Sequence, residues 1–490
     1  MGARDTLVTL QGFIPIVRIS RVRKFLLILV LLAAGHASAD VIHLKNGRTI
    51  WADSVREKKD RIEYDLGDDT YAILKTSVDH IDAGGAAPLH ASSAGAGSVP
   101  DITPAAPTFN HESDVAEKVI HDGKVDADVL ASFGQSSNAE VAATAYFLAG
   151  KHESDHGNFP LAKRYYESAL GFQPDNSTLL IYYAATLMRT GQASEALRYA
   201  QHAATVTPES PDAIAMLGFV EFASDHTPEA IRWWKKSLTL RPDATVSQYL
   251  ARAERESAAE TDFSQRESSH FNLHYEGKST SENFQRDVLA TLDSEYDDLV
   301  RDLSYSPRNN IAVTLYTQEA FFDVTRAPAW SGAINDGKLR IPISGVQGMT
   351  PDLARVLKHE LTHSFVAQMS GNRCPTWLNE GVAQMEEGRS TSGNGRQLAQ
   401  LFASGNEIPF NVLEGSFMNF SGPQAVVAYA ESLAAAEYIR DAYGMSEIAR
   451  ILEMLSHGSS TEAALRATVH SDYGQLRDEM GRTLKDKYGE

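Results

Sequence analysis

His359-Glu360-Leu361-Thr362-His363, followed by Trp377-Leu378-Asn379-Glu380-Gly381, is the stretch on which the reading of this 490-residue chain turns. An α-helix advances about 100° per residue, so His359 and His363 project from one face, one turn apart. Imidazoles at that spacing can clasp one Zn²⁺, with Glu360 beside them to act on the water the metal carries. A catalytic zinc takes three protein ligands and keeps one position open. Glu380, separated from His363 by sixteen residues, supplies the third. The expectation is a zinc-dependent hydrolase with one ion per chain.

The flanking residues predict a buried helix. Thr350 can cap it, Pro351 suits the first turn and Gly371 is a good stop. Between them Leu353, Val356, Leu357, Leu361, Phe365, Val366 and Met369 fall on several sides. A helix that apolar belongs in a core, where two histidines and a glutamate need partners. Metal ligation supplies them. Cys374, the single cysteine, excludes an intrachain disulfide and reads as a small buried hydrophobe rather than a ligand.

Metzincins require Gly at position 366 and His at position 369; this chain has Val366 and Met369. A glutamate arriving from a second helix is the gluzincin pattern instead. From about His270 to the C-terminus the chain resembles the peptidase MA-like (gluzincin) family of bacterial proteins that carry tetratricopeptide repeats. The likeness runs through residues 269–275 as an opening strand, 327–332, 336–342, both metal motifs and Tyr429-Ala430-Glu431-Ser432 opening a C-terminal helical region. One departure is the segment between His363 and Glu380, slightly shorter than in aminopeptidase-like or thermolysin-like relatives.

The resemblance implies an α+β gluzincin-type zinc peptidase domain over 265–490, with zinc on His359, His363 and Glu380. Glu360 would serve as general base and pass the proton to the leaving amine. Tyr429, placed by the likeness at the start of a helix facing the site, would donate to the oxyanion. Glu387, seven residues past Glu380, and Gln384 are candidates to orient an imidazole; Glu386 reads as a solvated surface residue. Residues 338–343 read as a short strand in which Pro342 fits only an edge. An exposed edge there suits an extended peptide and points to a polypeptide substrate.

Residues 1–39 read as a secretory signal peptide. Arg18, Arg21, Arg23 and Lys24 precede the apolar run from Phe25 to Ala34, and Ala37-Ser38-Ala39 offers a cleavage site. That run is shorter than the roughly 20 residues a bilayer span needs. The chain therefore reads as a bacterial protein exported to the periplasm or beyond, with no stable membrane span after cleavage. Removing the segment, which holds five basic residues and one acid, takes the net charge from −19 to −23. Such acidity repels nucleic acid and anionic lipid.

Residues 40–83 alternate apolar and polar around Asn46-Gly47 and read as a small β-barrel-like module, joined by an Ala/Gly/Ser/Pro-rich linker over 84–112. From 113 to 258 a 34-residue period appears: Pro174, Pro208 and Pro242; Ala162, Ala196 and Ala230; Tyr165, Tyr199 and Trp233. That period resembles tetratricopeptide repeats, three of them from about 139 to 243, an all-α solenoid able to hold a protein substrate or partner. Trp233-Trp234 reads as both core and ligand platform. The competing reading is a catalytically silent gluzincin-fold scaffold that assembles envelope proteins; such scaffolds tend to lose the general base, and Glu360 is present.

Overall fold

The computed structural model describes residues 17–19, residues 39–85 apart from 46–48, 53, 60 and 67–68, and residues 112–489 apart from 278–279, 326–332, 344–347 and 418–419. Among the described residues the chain is mostly helical, with strands gathered at the N-terminus, in a two-stranded hairpin and in one later five-stranded sheet.

The N-terminal strands are β1 (Val17–Ile19), β2 (Ala39–Leu44), β3 (Thr49–Ala52), β4 (Ser54–Glu57), β5 (Arg61–Leu66), β6 (Asp69–Leu74) and β7 (Val78–Gly85). They form two antiparallel sheets, ordered β1-β6-β5-β4 and β3-β2-β7, over a core of Ile42, Ile62, Tyr64 and Ile73. β2 and β3 pair as a hairpin; its Asn46-Gly47 turn lies outside the described residues. β1 falls within the stretch read as an export signal and pairs with β6. The apolar run over 25–34 also lies outside the described residues, as does 86–111 of the linker read over 84–112, whose first two residues instead end β7 and whose last opens a helix.

Next come α1 (Glu112–Val119), a small hairpin of β8 (Ile120–His121) and β9 (Lys124–Val125), and α2 (Ala127–Gly134). Antiparallel helix pairs follow: α3 (Ala139–Asp155) with α4 (Phe159–Phe172), α5 (Ser177–Arg189) with α6 (Ala193–Val206), and α7 (Pro211–Ala223) with α8 (Thr227–Leu240), then α9 (Ala244–Ala259). The periodic alanines Ala162, Ala196 and Ala230 are fully buried, where small side chains let helices approach closely. The turns inside the pairs are also periodic. Gly157, Gly191 and Asp225 occupy them with φ of 76°, 69° and 67°, the left-handed region that ends a helix tightly. Trp234 is wholly buried, with its indole N–H donating to the Ala215 carbonyl. Trp233 is only half-buried, under Arg232.

The C-terminal region begins with β10 (Phe263–Glu267), β11 (Phe271–Glu276), α10 (Glu282–Leu303), β12 (Ile311–Tyr316), α11 (Gln318–Thr325), β13 (Ile334–Asn335) and β14 (Leu339–Pro342). Then come α12 (Pro351–Ser370), α13 (Thr376–Glu386), α14 (Gly395–Ser404), α15 (Phe410–Leu413), α16 (Gly422–Tyr443), α17 (Met445–Ser456), α18 (Thr461–Thr468) and α19 (Tyr473–Tyr488). The sheet order is β10-β11-β12-β14-β13, with β11, β12 and β14 parallel and a strand running the other way on each side. β14 is thus not the edge strand that Pro342 suggested. Among the described residues the two-residue β13 is the edge, paired with Leu339 and Arg340. Pro342 lies past the end of β13, so its missing N–H breaks no ladder on that side.

Alternation splits this sheet into unlike faces. Phe271, Leu273, Val313, Leu315, Leu339 and Ile341 point to α10 and α12 and make one apolar core with Leu292, Leu357, Leu361 and Phe365. The opposite face carries His274, Tyr316, Lys338 and Arg340 and lies against the repeats. There Glu256 of α9, wholly buried, accepts from Lys338 Nζ at 2.7 Å and Arg340 Nη2 at 2.8 Å. Asp225 accepts from Lys338 Nζ at 2.7 Å and pairs with His274 Nε2 at 2.6 Å. Arg340 also reaches Asp336 and the Tyr316 hydroxyl, and Arg252 pairs with Asp336.

The repeat turns meet the C-terminal region in succession. A Cβ at Gly157 would collide with the Arg373 side chain. The Gly191 carbonyl receives Asn309 Nδ2 at 2.7 Å, and Gln368 closes over its α-carbon. Asp225 makes the contacts just given. Helical repeats and mixed sheet are therefore directly packed, not joined by a spacer.

Candidate metal centre

Helix α12 forms as its sequence requires. Thr350 Oγ1 accepts from Leu353 N at 3.1 Å, Pro351 occupies the first turn and Gly371 ends the helix at φ 60°. Leu357, Leu361 and Phe365 bury one side against the sheet. The adjoining side carries His359, Glu360 and His363, each at most 3 % exposed.

Helix α13 crosses this side and brings Glu380, 1 % exposed. Its Oε2 lies 3.7 Å from His359 Nε2 and 3.9 Å from His363 Nε2, and the two imidazole rings stand 4.8 Å apart. One ligand atom from each of these residues fits within 4.8 Å of the others. Zinc bonds of about 2.0–2.2 Å in a tetrahedron separate ligand atoms by about 3.4 Å, so the cluster has room for one ion.

Two further observations test that fit. His363 Nε2 and Glu360 Oε2 are buried with no hydrogen-bond partner among the described residues, an arrangement that costs free energy unless something else binds there. The charges also fail to balance. Glu360, Glu380 and Glu387 are all buried, and Arg389, 2.7 Å from Glu387, offers one positive charge against them. A dication restores neutrality with both imidazoles uncharged. Without it, burial pushes the Glu360 carboxyl up to about 8, lowered by His359 and raised again by Glu380 and Glu387. His359, which burial would depress, is drawn up to about 10 by Glu380 and Glu387, whereas burial holds His363 down. The residues present fit a divalent ion held by nitrogen and oxygen.

Each imidazole is oriented from its far side. Asn379 Oδ1 lies 2.9 Å from His363 Nδ1, fixing that ring so that Nε2 faces Glu380. Glu387 Oε1 lies 3.5 Å from His359 Nδ1 and is itself held by Arg389. Gln384 Nε2 donates to the Glu380 and Tyr429 carbonyls, which ties α13 to α16, and makes no hydrogen bond to an imidazole among the described residues. Gly381 makes that crossing possible, since a Cβ there would sit 2.2 Å from the Ser432 carbonyl oxygen. Asn335 Nδ2 donates to the Glu360 carbonyl at 2.7 Å and to Ser364 Oγ at 2.6 Å, anchoring α12 to the edge strand.

Three expectations need adjustment. Tyr429 does not stand at the start of a helix; α16 begins at Gly422, and the Tyr429 ring packs edge-on against Phe417. Glu386 is half-buried rather than solvated, its carboxyl pushed up to about 7 by burial with Asp302 nearby. Cys374 is half-buried against the α13–α19 core, its thiol raised well above the usual range by burial and Glu380. Asn379, Asn335 and Arg389 were missed. Asn379 carried a faint signal as the neighbour of Glu380, and Arg389 as a cation two residues past Glu387; Asn335 is brought in by tertiary packing alone.

Residues 298–486 match the family described as the Peptidase MA superfamily, a stretch that contains both metal motifs. The C-terminal region of the chain is accordingly peptidase-MA-like. No curated protein matches the chain. Among solved structures, a mutant O-GlcNAc transferase of Thermobaculum terrenum is similar at 13% identity with a TM-score of 0.24, covering 72% of this chain and 100% of that one. A likeness so slight carries no argument.

Proposed function

We propose that the chain is an exported zinc metallopeptidase that hydrolyses peptide bonds, with the repeats holding a protein substrate or partner. The observation that carries this reading is the buried cluster of His359, His363 and Glu380 with Glu360 on the adjoining helical position. His359 Nε2, His363 Nε2 and a Glu380 oxygen would hold the ion, supported by Asn379 and Glu387. When bound, zinc supplies a Lewis acid and a water acidified to about neutrality.

Glu360 does the proton work. Its Oε2 has no partner among the described residues, and it is not required as a ligand. A buried carboxylate with a free oxygen, next in the chain to a ligand, is well placed to accept a proton and return it to the leaving amine. Asn379 keeps His363 in the tautomer that presents Nε2 as a lone pair. Tyr429 on α16 is the proposed hydroxyl donor to the developing oxyanion. Export rests on the leader sequence, and a polypeptide substrate on the short edge strand beside the cluster. The intact base favours catalysis over a silent scaffold.

The test is a broad peptide-library digest with purified protein, with and without chelator, beside a Glu360→Gln variant. The expected result is chelator-sensitive cleavage that the variant loses while retaining about one zinc per chain. Cleavage persisting in Glu360→Gln would remove the base from this role, and cleavage surviving exhaustive chelation would remove the metal.

A further inference from the structure

A cavity of about 460 Å³ lies between the repeats and the mixed sheet, along the flank of α12 that carries Ser364, Ala367 and Gln368. It is in the size class that binds ligands, roughly 300–1,000 Å³. None of the metal-cluster residues lines it. Its repeat-side wall is built from the ends of α5 and α7, the turns after them, the start of α6 and α9, so it follows the turn edge of the solenoid.

The two walls differ in chemistry. On the repeat side Met188, Leu197, Phe219, Phe222 and Tyr249 present apolar and aromatic surface. On the other side stand the carboxamides Asn272, Asn309, Asn310, Asn335, Gln368 and Asn372. Asn309 and Asn335 are used within the scaffold, bonding Gly191 and Glu360. Asn310 Nδ2 donates to Asn272 Oδ1 at 3.1 Å, and Gln368 Oε1 accepts from Tyr305 at 3.4 Å. Asn272 Nδ2, Asn310 Oδ1, Gln368 Nε2 and the Asn372 carboxamide have no partner among the described residues.

Charge in the walls is already spent. Lys338 is neutralised by Asp225 and Glu256, and Arg252 by Asp336. Arg189 is drawn over the Phe159 ring. A phosphate, nucleotide or metal ion therefore meets walls in which Lys338 and Arg252 are already paired with carboxylates. A carboxamide offers one donor and one acceptor side by side, the complement of a peptide unit. A row of them opposite an aromatic wall suits a chain whose backbone lies on one side and whose apolar side chain enters the other.

We propose that this cavity is a second peptide-binding site, taking an extended segment through its backbone at the carboxamides and one uncharged apolar side chain at Phe219, Phe222 and Tyr249. Asn335 lies in the same wall, one hydrogen bond from the Glu360 backbone, so an occupant sits next to the metal helix. That adjacency matters to catalysis only if the zinc reading holds; the binding itself does not depend on it.

The test uses the full chain carrying His363→Ala, so that neither cleavage nor metal-dependent capture contributes. It is screened against an array of short random-sequence peptides, and hits are remade with a fluorophore for polarisation measurements. Ala193→Trp fills the cavity from the repeat side. Asn310→Ala with Asn372→Gly removes open carboxamides while keeping the left-handed backbone at 372, where φ is 60°. Far-UV circular dichroism checks folding, and the asparagine pair decides the matter if the tryptophan variant fails that check. The expected result is a set of uncharged, apolar-centred peptides whose Kd rises at least about tenfold in the cavity variants. Unchanged Kd in those variants, an array with no hits, or hits that are all strongly charged would overturn the proposal. Loss of cleavage in Glu360→Gln tests the metal centre separately, so the two readings can fail independently.

Discussion

Replacing Glu256 by Gln should loosen the contact between repeats and sheet, by an amount the local charges set. Glu256 is fully buried between Lys338 and Arg340. Burial raises its carboxyl, but Arg340 first and then Lys338 outweigh that and hold it at about 2 against an ordinary 4.5. At about 1.4 kcal/mol per tenfold in proton affinity, the ionised form contributes about 3 kcal/mol. An independent route agrees, since removing one partner of a buried ion pair costs about 3–5 kcal/mol. Because the folded value is depressed, this stability is fully present above about 4.5 and is lost as pH falls toward 2. Hydrogen exchange of peptides from α9 and β14 reads the contact directly. At neutral pH the variant should open about a hundredfold more often, and the gap to the parent protein should shrink as the medium is acidified below 4.5. A gap under about threefold at neutral pH, or one that acidification leaves unchanged, would refute the argument.

Glu387→Gln keeps the shape beside His359 but weakens its acceptor, so zinc affinity by competitive chelator titration should fall about 10–100-fold while the fold persists. Gly381→Ala forces a methyl group against the Ser432 carbonyl and Ala436 Cβ; overpacking of this kind costs about 1–3 kcal/mol and should lower the urea midpoint. Stripping the metal leaves buried carboxylates unbalanced. Restoring zinc to about 100 times its Kd should return about 2.7 kcal/mol, seen as a raised thermal midpoint; an unchanged midpoint would argue against an ion in the cluster.

Legibility of the sequence followed how local each signal was. The α12 boundaries could be read because a cap, a first-turn proline and a terminal glycine are contained within the helix. The pairing of His359 with His363 is set by helical pitch, and the 34-residue period by repetition, so neither needs tertiary knowledge. The strand at 339–342 misled because Pro342 reports only which side lacks a donor, not how many strands lie beyond. Lys338 and Arg340 gave no sign of their partners, since alternation cannot distinguish water from a carboxylate supplied by a distant helix. Asn335 acts through a contact between elements, and Arg389 through a carboxylate two residues before it, and neither leaves a periodic trace. Tyr429 falls in an alanine-rich helix with no register mark, so its position along α16 was open.

Gly157, Gly191 and Asp225 meet the rest of the protein at successive points, which makes the solenoid a ruler rather than a string of exchangeable beads. In a free-standing array, units can be gained or lost with little harm because each sees only its neighbours. Here the excision of one unit would carry the Asp225 carboxylate to the place where a bare glycine lets Gln368 close in, and would leave Lys338 facing the wrong partner. The number of repeats is therefore fixed by the surface they rest on, and variation in copy number among descendants of this chain should be rare.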